Sequence, residues 1–210
     1  MLTNFRIIFL TVALSCGSAF AKKAEKKNEK KPAAKSLMVD LSKSQVEWTG
    51  FKKVGSKHMG HITLKDGTVD IKDGKFSGGK FVFDMKSITN EDLKDSPDYQ
   101  TKLVSHLKSE DFFNVEKYPD ATFEVTGVKE KDGKQMISGN LTMIGKKKPI
   151  EFPAEIKIKD GIAEGTATIE VDRTKWGLTY GSGNFFKELV ADKIIKDAFE
   201  LKVKIAAKSK

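Results

Sequence analysis

The sequence is poor in the residue types on which most enzymes and metal proteins depend. Its 210 residues include one cysteine and three histidines. The cysteine, Cys16, falls within an N-terminal leader, so the chain beyond it has no thiol for a disulfide, a nucleophile or a metal site. The pair Ser105-His106 has no positioned acid partner and no glycine motif for an oxyanion hole. We therefore predict no catalytic residues and no resident metal.

Long apolar runs are also lacking, apart from one short segment at residues 7–14. Arg6 precedes this segment and Ala19-Phe20-Ala21 follows it, which is the pattern of a signal peptide covering residues 1–21. The segment is too short to span a bilayer. We expect cleavage after Ala21 and a periplasmic or secreted protein. The alternative is a lipoprotein anchored through Cys16, although the residues before Cys16 form a poor lipidation signal.

The net charge of +9 is concentrated near the N-terminus. Residues 22–35 hold seven lysines and two glutamates, and Arg6 lies in the leader, which leaves only +3 for residues 36–210. So mild a charge does not favour nucleic-acid binding. The basic segment has no apolar periodicity, so residues 22–36 are predicted to form a disordered tether. Its lysines are either a solvated spacer or a weak contact with anionic membrane lipids.

Beyond the tether, apolar residues alternate with a period of two, which indicates β-strands. Tight turns are predicted at four Lys-Asp-Gly triplets that favour a positive φ; the triplets begin at Lys65, Lys72, Lys131 and Lys159. We predict an all-β domain of about eight antiparallel strands at residues 37–210. Alternation alone fits a sandwich as well as a barrel, because both bury one face of every strand.

One principal helix interrupts the strands. Ser96-Pro97 suits a helix start, and Tyr99, Leu103 and Leu107 then recur every four residues on one face. The helix is expected to end near Lys108, and a second short turn of helix is predicted around residues 185–189. Phe112 and Phe113 follow where polar turn residues would be usual, which indicates that aromatic side chains pin this helix to the sheet.

Three segments carry a family resemblance. Residues 106–125 (HLKSEDFFNVEKYPDATFEV), 137–150 (ISGNLTMIGKKKPI) and 172–186 (DRTKWGLTYGSGNFF) resemble the signature blocks of the YceI-like family of secreted bacterial proteins. The resemblance extends from about Met38 to the C-terminus. It implies a lipocalin-like antiparallel β-barrel that holds an isoprenoid or similar lipid tail, with no established catalysis.

The alternation along the strands and the apolar face of the predicted helix direct a set of large apolar side chains towards a common interior. For each of these side chains, core packing is the competing explanation to ligand contact. The predicted interior residues are Trp48, Phe81, Phe83, Leu103, Leu107, Phe112, Phe113 and Phe123.

The predicted rim of the barrel consists of His58, Arg173 and Trp176, with Asp172 fixing their loop. Arg173 is expected to bind an anionic head group, or alternatively to brace the loop through an acidic partner. Trp176 is expected to close over the entering chain, beside a flexible glycine-rich segment at residues 180–183. His58 and His61 have H-x-x-H spacing, but residues three apart on a strand point to opposite faces, so a metal site requires a tight turn there.

The pattern as a whole favours a non-enzymatic binding protein that holds an amphiphilic lipid, with an isoprenoid or quinone-like tail inside the barrel. Two alternatives stay open at this point. One is a metal- or redox-linked accessory enzyme that uses His58 and His61, and the other is a structural envelope protein whose barrel is filled by its own side chains.

Overall fold

The computed structural model describes residues 34–209, and most of that segment is β-structure. The strands are β1 (Ala34–Val39), β2 (Gln45–Phe51), β3 (Lys57–Lys72), β4 (Lys75–Asp84), β5 (Asp120–Lys131), β6 (Lys134–Met143), β7 (Lys146–Lys159), β8 (Ile162–Asp172) and β9 (Ala198–Lys208). The helix α1 spans Pro97–Lys108, and short 3-10 helices span Met85–Ser87 and Arg173–Trp176.

The strands form one closed antiparallel meander. Neighbours from β3 to β9 pair in chain order, and β2 pairs with both β3 and β9. Strand β1 pairs with the same two neighbours as β2, namely β3 and β9, but at the other end of each of those strands. Strands β1 and β2 therefore lie end to end between β3 and β9. Since β1 and β2 share one position, the barrel has eight positions. The predicted barrel of about eight strands with one principal helix is confirmed.

Three of the four predicted Asp-Gly turns are hairpins. Their aspartates have positive φ values, for example 53° at Asp73, and a positive-φ glycine follows each one. The fourth prediction, at Asp66-Gly67, is wrong because β3 continues through it with a bulge between Leu64 and Asp66. Gly67 is needed there for space, since a Cβ atom would lie 2.7 Å from a methyl of Val39. The hairpin at Ile144-Gly145 lacks the Asp-Gly signal, but it lies within the 137–150 block whose family resemblance implies a hairpin, and both residues have positive φ values.

The two ends of the barrel are built differently. At one end, which we call the hairpin end, tight turns join β3 to β4, β5 to β6, and β7 to β8. The other end, which we call the helix end, carries the short β2–β3 and β6–β7 connections and two long ones. Residues 85–119 join β4 to β5 and include α1, and residues 173–197 join β8 to β9. The functional features described below lie in the interior and at the helix end.

Residues 88–92 attach the helical connection to the barrel wall. Thr89 N donates to His61 O at 3.0 Å, and Trp48 Nε1 donates to Thr89 O at 3.1 Å. The contact is so close that a Cβ atom on Gly60 would lie 1.9 Å from Thr89 O. Buried Asn90 adds a bond from its Nδ2 to Met59 O at 3.1 Å. This segment therefore has a fixed position from which α1 extends over the helix end.

Helix α1 begins and ends as predicted, with Ser96 at its N-cap and Pro97 at its first position. Leu103 and Leu107 are half-buried, but Tyr99 is 67% exposed, so its predicted place on the buried face is wrong. The ring of Tyr99 lies instead near Lys102 Nζ, 5.6 Å from its centroid. Only the second half of the helix therefore covers the barrel.

The predicted signal peptide and the tether up to residue 33 lie outside the described residues. Residues 34–36, which were assigned to the tether, belong to β1, where Ser36 Oγ donates to Asp70 Oδ1 at 2.8 Å. The folded domain thus begins three residues earlier than predicted. Within residues 34–209 no helix has the length and apolar character needed to cross a bilayer.

Candidate functional site

The interior of the barrel contains an apolar cavity of about 140 Å³. Every strand from β2 to β9 contributes to its wall. Among the lining side chains are Val46, Ile62, Val69, Phe81, Phe83, Phe113, Phe123, Leu141, Phe152, Ala154, Ala163, Ala167, Ile169, Phe199, Leu201, Val203 and Ile205. Four of these on β9, at positions 199, 201, 203 and 205, are only half-buried although they line the interior, because open space lies beside them.

The cavity exists because large and small residues are distributed unevenly around the wall. Phe123 stacks against Phe81 and packs against Phe152, with ring centroids 6.5 and 5.5 Å apart. The ring of Phe123 lies over Gly139, where a Cβ atom would be 2.3 Å from it. Strands β7 and β8 present small residues instead, including Ala154 and Ala167, which are directly paired. The small residues leave the space that the three rings do not fill.

A second apolar cavity, of about 210 Å³, lies between α1 and the helix end of the barrel. Helix α1 and the corner after it contribute Leu103, Leu107, Phe112 and Phe113, and β2 contributes Trp48 and Phe51. Residues of the β8–β9 connection complete the wall, among them Leu178 and Ile195. We call this space the helix-end cavity and the first one the barrel cavity.

The two cavities adjoin. Ile62, Phe113 and Phe199 line both, so these three side chains form the partition between them. Pockets that enclose small molecules usually have volumes of about 300–1,000 Å³. Neither cavity reaches that range alone, but together they do. A ligand that used both would have an extended apolar body running from the barrel interior to the helix end.

The predicted interior residues fall into two groups. Phe81, Phe83 and Phe123 line the barrel cavity, Trp48, Leu103, Leu107 and Phe112 line the helix-end cavity, and Phe113 lines both. The sequence therefore identified large parts of both walls, although it indicated a single interior. Ligand contact by these residues stays a prediction.

Charged groups are unevenly distributed around the helix-end cavity. Of residues 34–209, Lys52, His58, Arg173 and Lys196 line it, and no aspartate or glutamate of that segment does. The nearby carboxylates have other partners: Asp92 accepts a hydrogen bond from His58, and Asp197 accepts one from Asn184. The ionisable side chains in this wall are therefore all basic.

Arg173 lines the helix-end cavity, but its guanidinium is buried and turned towards backbone carbonyls, so it is not the exposed rim residue that the sequence indicates; head-group binding by Arg173 stays a prediction. The residue is 4% exposed, and its three nitrogens donate to the carbonyl oxygens of Leu178, Ile195 and Lys196. Burial lowers the pKa of Arg173, while the charges of Asp197 and Asp172 oppose that shift. Arg173 ties the start of the β8–β9 connection to its end. This is the bracing role of the alternative, but backbone carbonyls supply most of it, and the acidic partner, Asp197 Oδ1, lies 3.9 Å from Nη2.

Trp176 is likewise wrongly predicted as a residue that closes the rim. Its side chain is fully buried, and its Nε1 donates to Leu141 O at 3.1 Å, which anchors the 3-10 helix in the core. Asp172 holds the start of this turn, because its Oδ1 accepts bonds from Thr174 N and Thr174 Oγ1. The loop motif alone predicts a mobile tryptophan, but the indole of Trp176 has a hydrogen-bond partner within the protein.

The glycine-rich segment at residues 180–183 is a packed turn and not a flexible rim. Ser182 is fully buried, and Gly181 O accepts a bond from Ile195 N at 2.8 Å. Tyr180 packs edge-on against His106, with ring centroids 4.6 Å apart, and so joins the end of α1 to this connection. The short helix predicted at residues 185–189 is absent, since these residues form turns.

His58 lies at the wall of the helix-end cavity and is held by Asp92. The distance from His58 Nδ1 to Asp92 Oδ2 is 2.7 Å, and Met59 N donates to Asp92 Oδ1 at 2.8 Å. Partial burial raises the pKa of Asp92, but hydrogen bonds from Met59, His58 and Asn90 outweigh it and lower the pKa below 3.8. Asp92 is therefore an ionised acceptor near neutral pH, so His58 Nδ1 carries the hydrogen.

The two histidines of the H-x-x-H motif have different neighbours. His61 Nδ1 lies 3.4 Å from Gln45 Nε2, whereas His58 is bound to Asp92. Within the described segment, residues 34–209, no group of three histidine, cysteine, aspartate or glutamate side chains is arranged to hold a metal ion.

Sequence reasoning missed several parts of this site. Ile62 and Phe199, which separate the cavities, look like ordinary strand residues, and the alanines of β7 and β8 carry no chemical signal of their own. Lys52 and Lys196 are two of many lysines, and only the folded chain brings both to the wall of one cavity. The one signal in the sequence was that Lys52 follows the end of β2 and Lys196 precedes the start of β9.

The fold and the cavities define the class of protein: a lipocalin-like antiparallel barrel with an apolar interior and a helix over one end. The YceI-like domain model matches residues 37–207. The chain belongs to the YceI-like family.

Curated relatives match over shorter stretches. A UPF0312 protein of Photorhabdus laumondii is 47% identical over 51 residues, which are 24% of this chain and 27% of that protein. A UPF0312 protein of Pseudomonas aeruginosa is 36% identical over 108 residues, covering 48% of this chain and 52% of the relative. The chain thus spans about a quarter to a half of the length of these relatives.

Solved structures share the fold. Burkholderia cenocepacia BcnA superimposes with a TM-score of 0.64 at 22% identity, over 81% of this chain and 99% of that one. A polyisoprenoid-binding domain from Saccharophagus degradans, described as implicated in plant cell wall breakdown, gives a TM-score of 0.58 at 12% identity, over 86% and 100% of the two chains. At these identities the likeness establishes the barrel architecture alone.

Proposed function

We propose that this protein is a non-enzymatic lipid-binding protein that encloses the apolar tail of an amphiphile within its barrel. The observation that carries the proposal is the pair of adjoining apolar cavities, one inside the barrel and one beneath α1. Open space beside half-buried Phe199, Leu201 and Val203 supports a ligand site over a barrel filled by its own side chains.

Burial of the tail supplies the affinity. Each methylene group removed from water contributes about 0.8 kcal/mol, before the cost of ordering the ligand is subtracted. A tail of about ten buried carbons therefore gains about 8 kcal/mol. No polar recognition inside the barrel is required, which agrees with the apolar wall of the barrel cavity.

An isoprenoid or quinone-like tail is the proposed ligand class. The support is family membership together with the solved Saccharophagus degradans domain, which is described as polyisoprenoid-binding. The shape of the site agrees with it, because two small adjoining chambers that share Phe113 in their walls suit an extended, narrow chain better than a compact ring system.

The proposed location is the periplasm or the exterior of the cell, with cleavage after Ala21. This rests on the leader sequence, and the lysines of residues 22–33 are proposed to make weak contact with anionic membrane lipids. The mass of the mature N-terminus distinguishes cleavage after Ala21 from lipidation of Cys16.

Intrinsic tryptophan fluorescence tests the binding proposal. The chain has two tryptophans; Trp48 lines the helix-end cavity, whereas Trp176 is fully buried and is not among the lining residues of either cavity. Titration with a polyprenol should change the emission saturably in the wild type and in Trp176→Phe, but not in Trp48→Phe. Absence of a saturable change in the wild type, together with no retention of the polyprenol on gel filtration, would overturn the proposal.

A further inference from the structure

We propose that the protein docks on anionic phospholipid bilayers through its helix end, by inserting exposed apolar side chains of the β2–β3 and β8–β9 connections among the lipids. We call these side chains the docking surface; they are Val54, Phe185, Phe186 and Val190. Lysines of the same two connections attract the lipid phosphates. The inference goes beyond the proposed function and does not depend on it, because it concerns the outer surface of the protein.

The first support is the exposure of these apolar side chains. Phe185 is 58% exposed and Val190 is 64% exposed, and Val54 and Phe186 are exposed as well. A group of exposed apolar side chains rimmed by polar residues marks a site of contact with a protein or a membrane. The hairpin end has no such group, since Ile162 is the one exposed large apolar side chain of residues 34–209 that lies there.

The second support is that the loop bearing the two phenylalanines is fixed at its base. Asn184 Nδ2 donates to Asp197 Oδ2 at 2.6 Å, and Phe186 N donates to the carbonyl oxygen of Ser182 at 2.9 Å. Ser182 itself is fully buried. Phe185 and Phe186 are thus exposed on a backbone that is attached to the barrel, so their insertion into a bilayer does not require the loop to be ordered first.

Backbone hydrogen bonds also join the two connections. Lys53 N donates to Ile194 O at 2.9 Å, and Lys193 N donates to Val190 O at 2.9 Å. Val54 directly follows Lys53 in the chain. The docking surface is therefore built from two distant segments of the sequence that the fold holds side by side.

The third support is the charge of these segments, which favours a bilayer over a protein as the occupant. Residues 52–57 and 184–196 contain six lysines and only two acidic residues. Lys53 and Lys187 directly adjoin apolar residues of the docking surface, and both are exposed. Each lysine near an anionic bilayer adds to the attraction, and apolar aromatic side chains with neighbouring lysines are typical of segments that bind such interfaces.

The docking surface lies at the same end of the barrel as the helix-end cavity. Val54 stands between Lys52 and His58 in the chain, and both of these residues line that cavity. Ile195, which forms a β-bridge with Lys52, lines it as well. Docking through this surface therefore brings the end of the barrel that holds the helix-end cavity to the bilayer, and leaves the hairpin end in water.

The experiment measures binding to vesicles of phosphatidylcholine alone and of phosphatidylcholine mixed with phosphatidylglycerol, by co-sedimentation without added ligand. Phe185→Ser/Phe186→Ser removes the aromatic part of the docking surface. Its matched control is Leu41→Ser/Ile162→Ser, which removes two other exposed apolar side chains, one between β1 and β2 and one at the hairpin end.

A second pair of variants tests the charge. Lys53→Gln/Lys187→Gln removes two lysines beside the docking surface, and Lys75→Gln/Lys131→Gln removes the same charge from exposed positions at the hairpin end. All variants keep the lysines of residues 22–35, so any contribution of that segment is equal throughout.

The wild type should bind the vesicles that contain phosphatidylglycerol about tenfold more tightly than those of phosphatidylcholine alone. Loss of the two phenylalanines should weaken binding to the anionic vesicles by about tenfold. Loss of the two lysines should weaken it by about tenfold at low salt, and by less at high salt because exposed charges are then screened. Both control variants should bind as the wild type does.

A variant that adds a signal keeps the test independent of folding defects. In Phe185→Trp the new indole should shift its emission to shorter wavelength when anionic vesicles are added, because it enters the bilayer. Ile162→Trp, which places the indole at the hairpin end, should show no shift. Absence of a shift in Phe185→Trp would overturn docking through this loop.

Wild-type affinity of Phe185→Ser/Phe186→Ser for the anionic vesicles, or an equal loss in its control, would also overturn the inference. So would a smaller molar mass of this variant than of the wild type in sedimentation equilibrium, because a second copy of the chain would then cover the docking surface. Polyprenol binding without vesicles is a separate measurement, so the proposed function and the docking inference can each fail while the other stands.

Discussion

Filling the barrel cavity should abolish tail binding without unfolding the protein. Ala167 lines the cavity on β8, where it pairs with Ala154 on one side and Val203 on the other. An apolar cavity of about 150 Å³ accommodates one benzene molecule. The barrel cavity measures about 140 Å³, so the phenyl ring introduced by Ala167→Phe fills most of it.

The expected magnitudes follow from burial. Covering the added ring gains about 2 kcal/mol, and local crowding costs about 1–3 kcal/mol, so the free energy of unfolding should stay within about 1 kcal/mol of the wild type. The ring displaces about five tail carbons, which removes about 4 kcal/mol of binding free energy. At 1.4 kcal/mol for each tenfold change, affinity for a long polyprenol should fall by about 10³.

The assay is a calorimetric titration paired with urea denaturation. Thr168→Phe is the matched control, because it adds the same ring at the next position on the exposed outer face. It should leave the affinity unchanged. Retention of wild-type affinity in Ala167→Phe, with its stability also unchanged, would refute the assignment of the tail to the barrel cavity.

Three further variants test the framework of the site. Arg173→Ala should lower the free energy of unfolding by at least about 3 kcal/mol in urea denaturation, because buried carbonyls lose their donors; a loss below about 1 kcal/mol would contradict the bracing role. Gly60→Ala should cost at least about 2 kcal/mol through its clash with Thr89 O, whereas Gly127→Ala, which meets nothing within 4 Å, should change stability by less than about 0.5 kcal/mol. Asp92→Asn should destabilise the protein at neutral pH, and the difference should shrink below about pH 4. The folded-state pKa of Asp92 lies below its ordinary value of 3.8, so its contribution is present above that value and is lost as pH falls through the lowered pKa. A stability difference that is independent of pH would show that the charge of Asp92 does not matter.

The barrel could be predicted because its signals are local and repeated. Alternating residues mark the strands, Asp-Gly pairs mark three hairpins, and Ser96-Pro97 marks the helix start. The prediction at Asp66-Gly67 was wrong because the same dipeptide also fits a bulged strand when a neighbouring strand packs on the glycine. The residue preferences of a turn are local, but whether Asp66-Gly67 forms a turn or a bulged strand depends on tertiary contact.

The site was harder to predict because its properties depend on which distant residues meet. The aromatic residues were found by alternation, yet their division between two cavities depends on where α1 crosses the barrel. Arg173 and Trp176 carry the groups expected of a binding rim, but both are satisfied by backbone carbonyls supplied from elsewhere in the chain. Lys52 and Lys196, 144 positions apart in number, become neighbours only when β2 meets the β8–β9 connection.

The most direct test of lipid binding is mass spectrometry of an organic extract from the protein, purified from its native cells without detergent. The account predicts a single class of long-tailed isoprenoid or quinone-like lipid, near one molecule per protein, recovered from the wild type and from Thr168→Phe but depleted in Ala167→Phe. An extract without lipid, or equal lipid recovery from all three proteins, would contradict it.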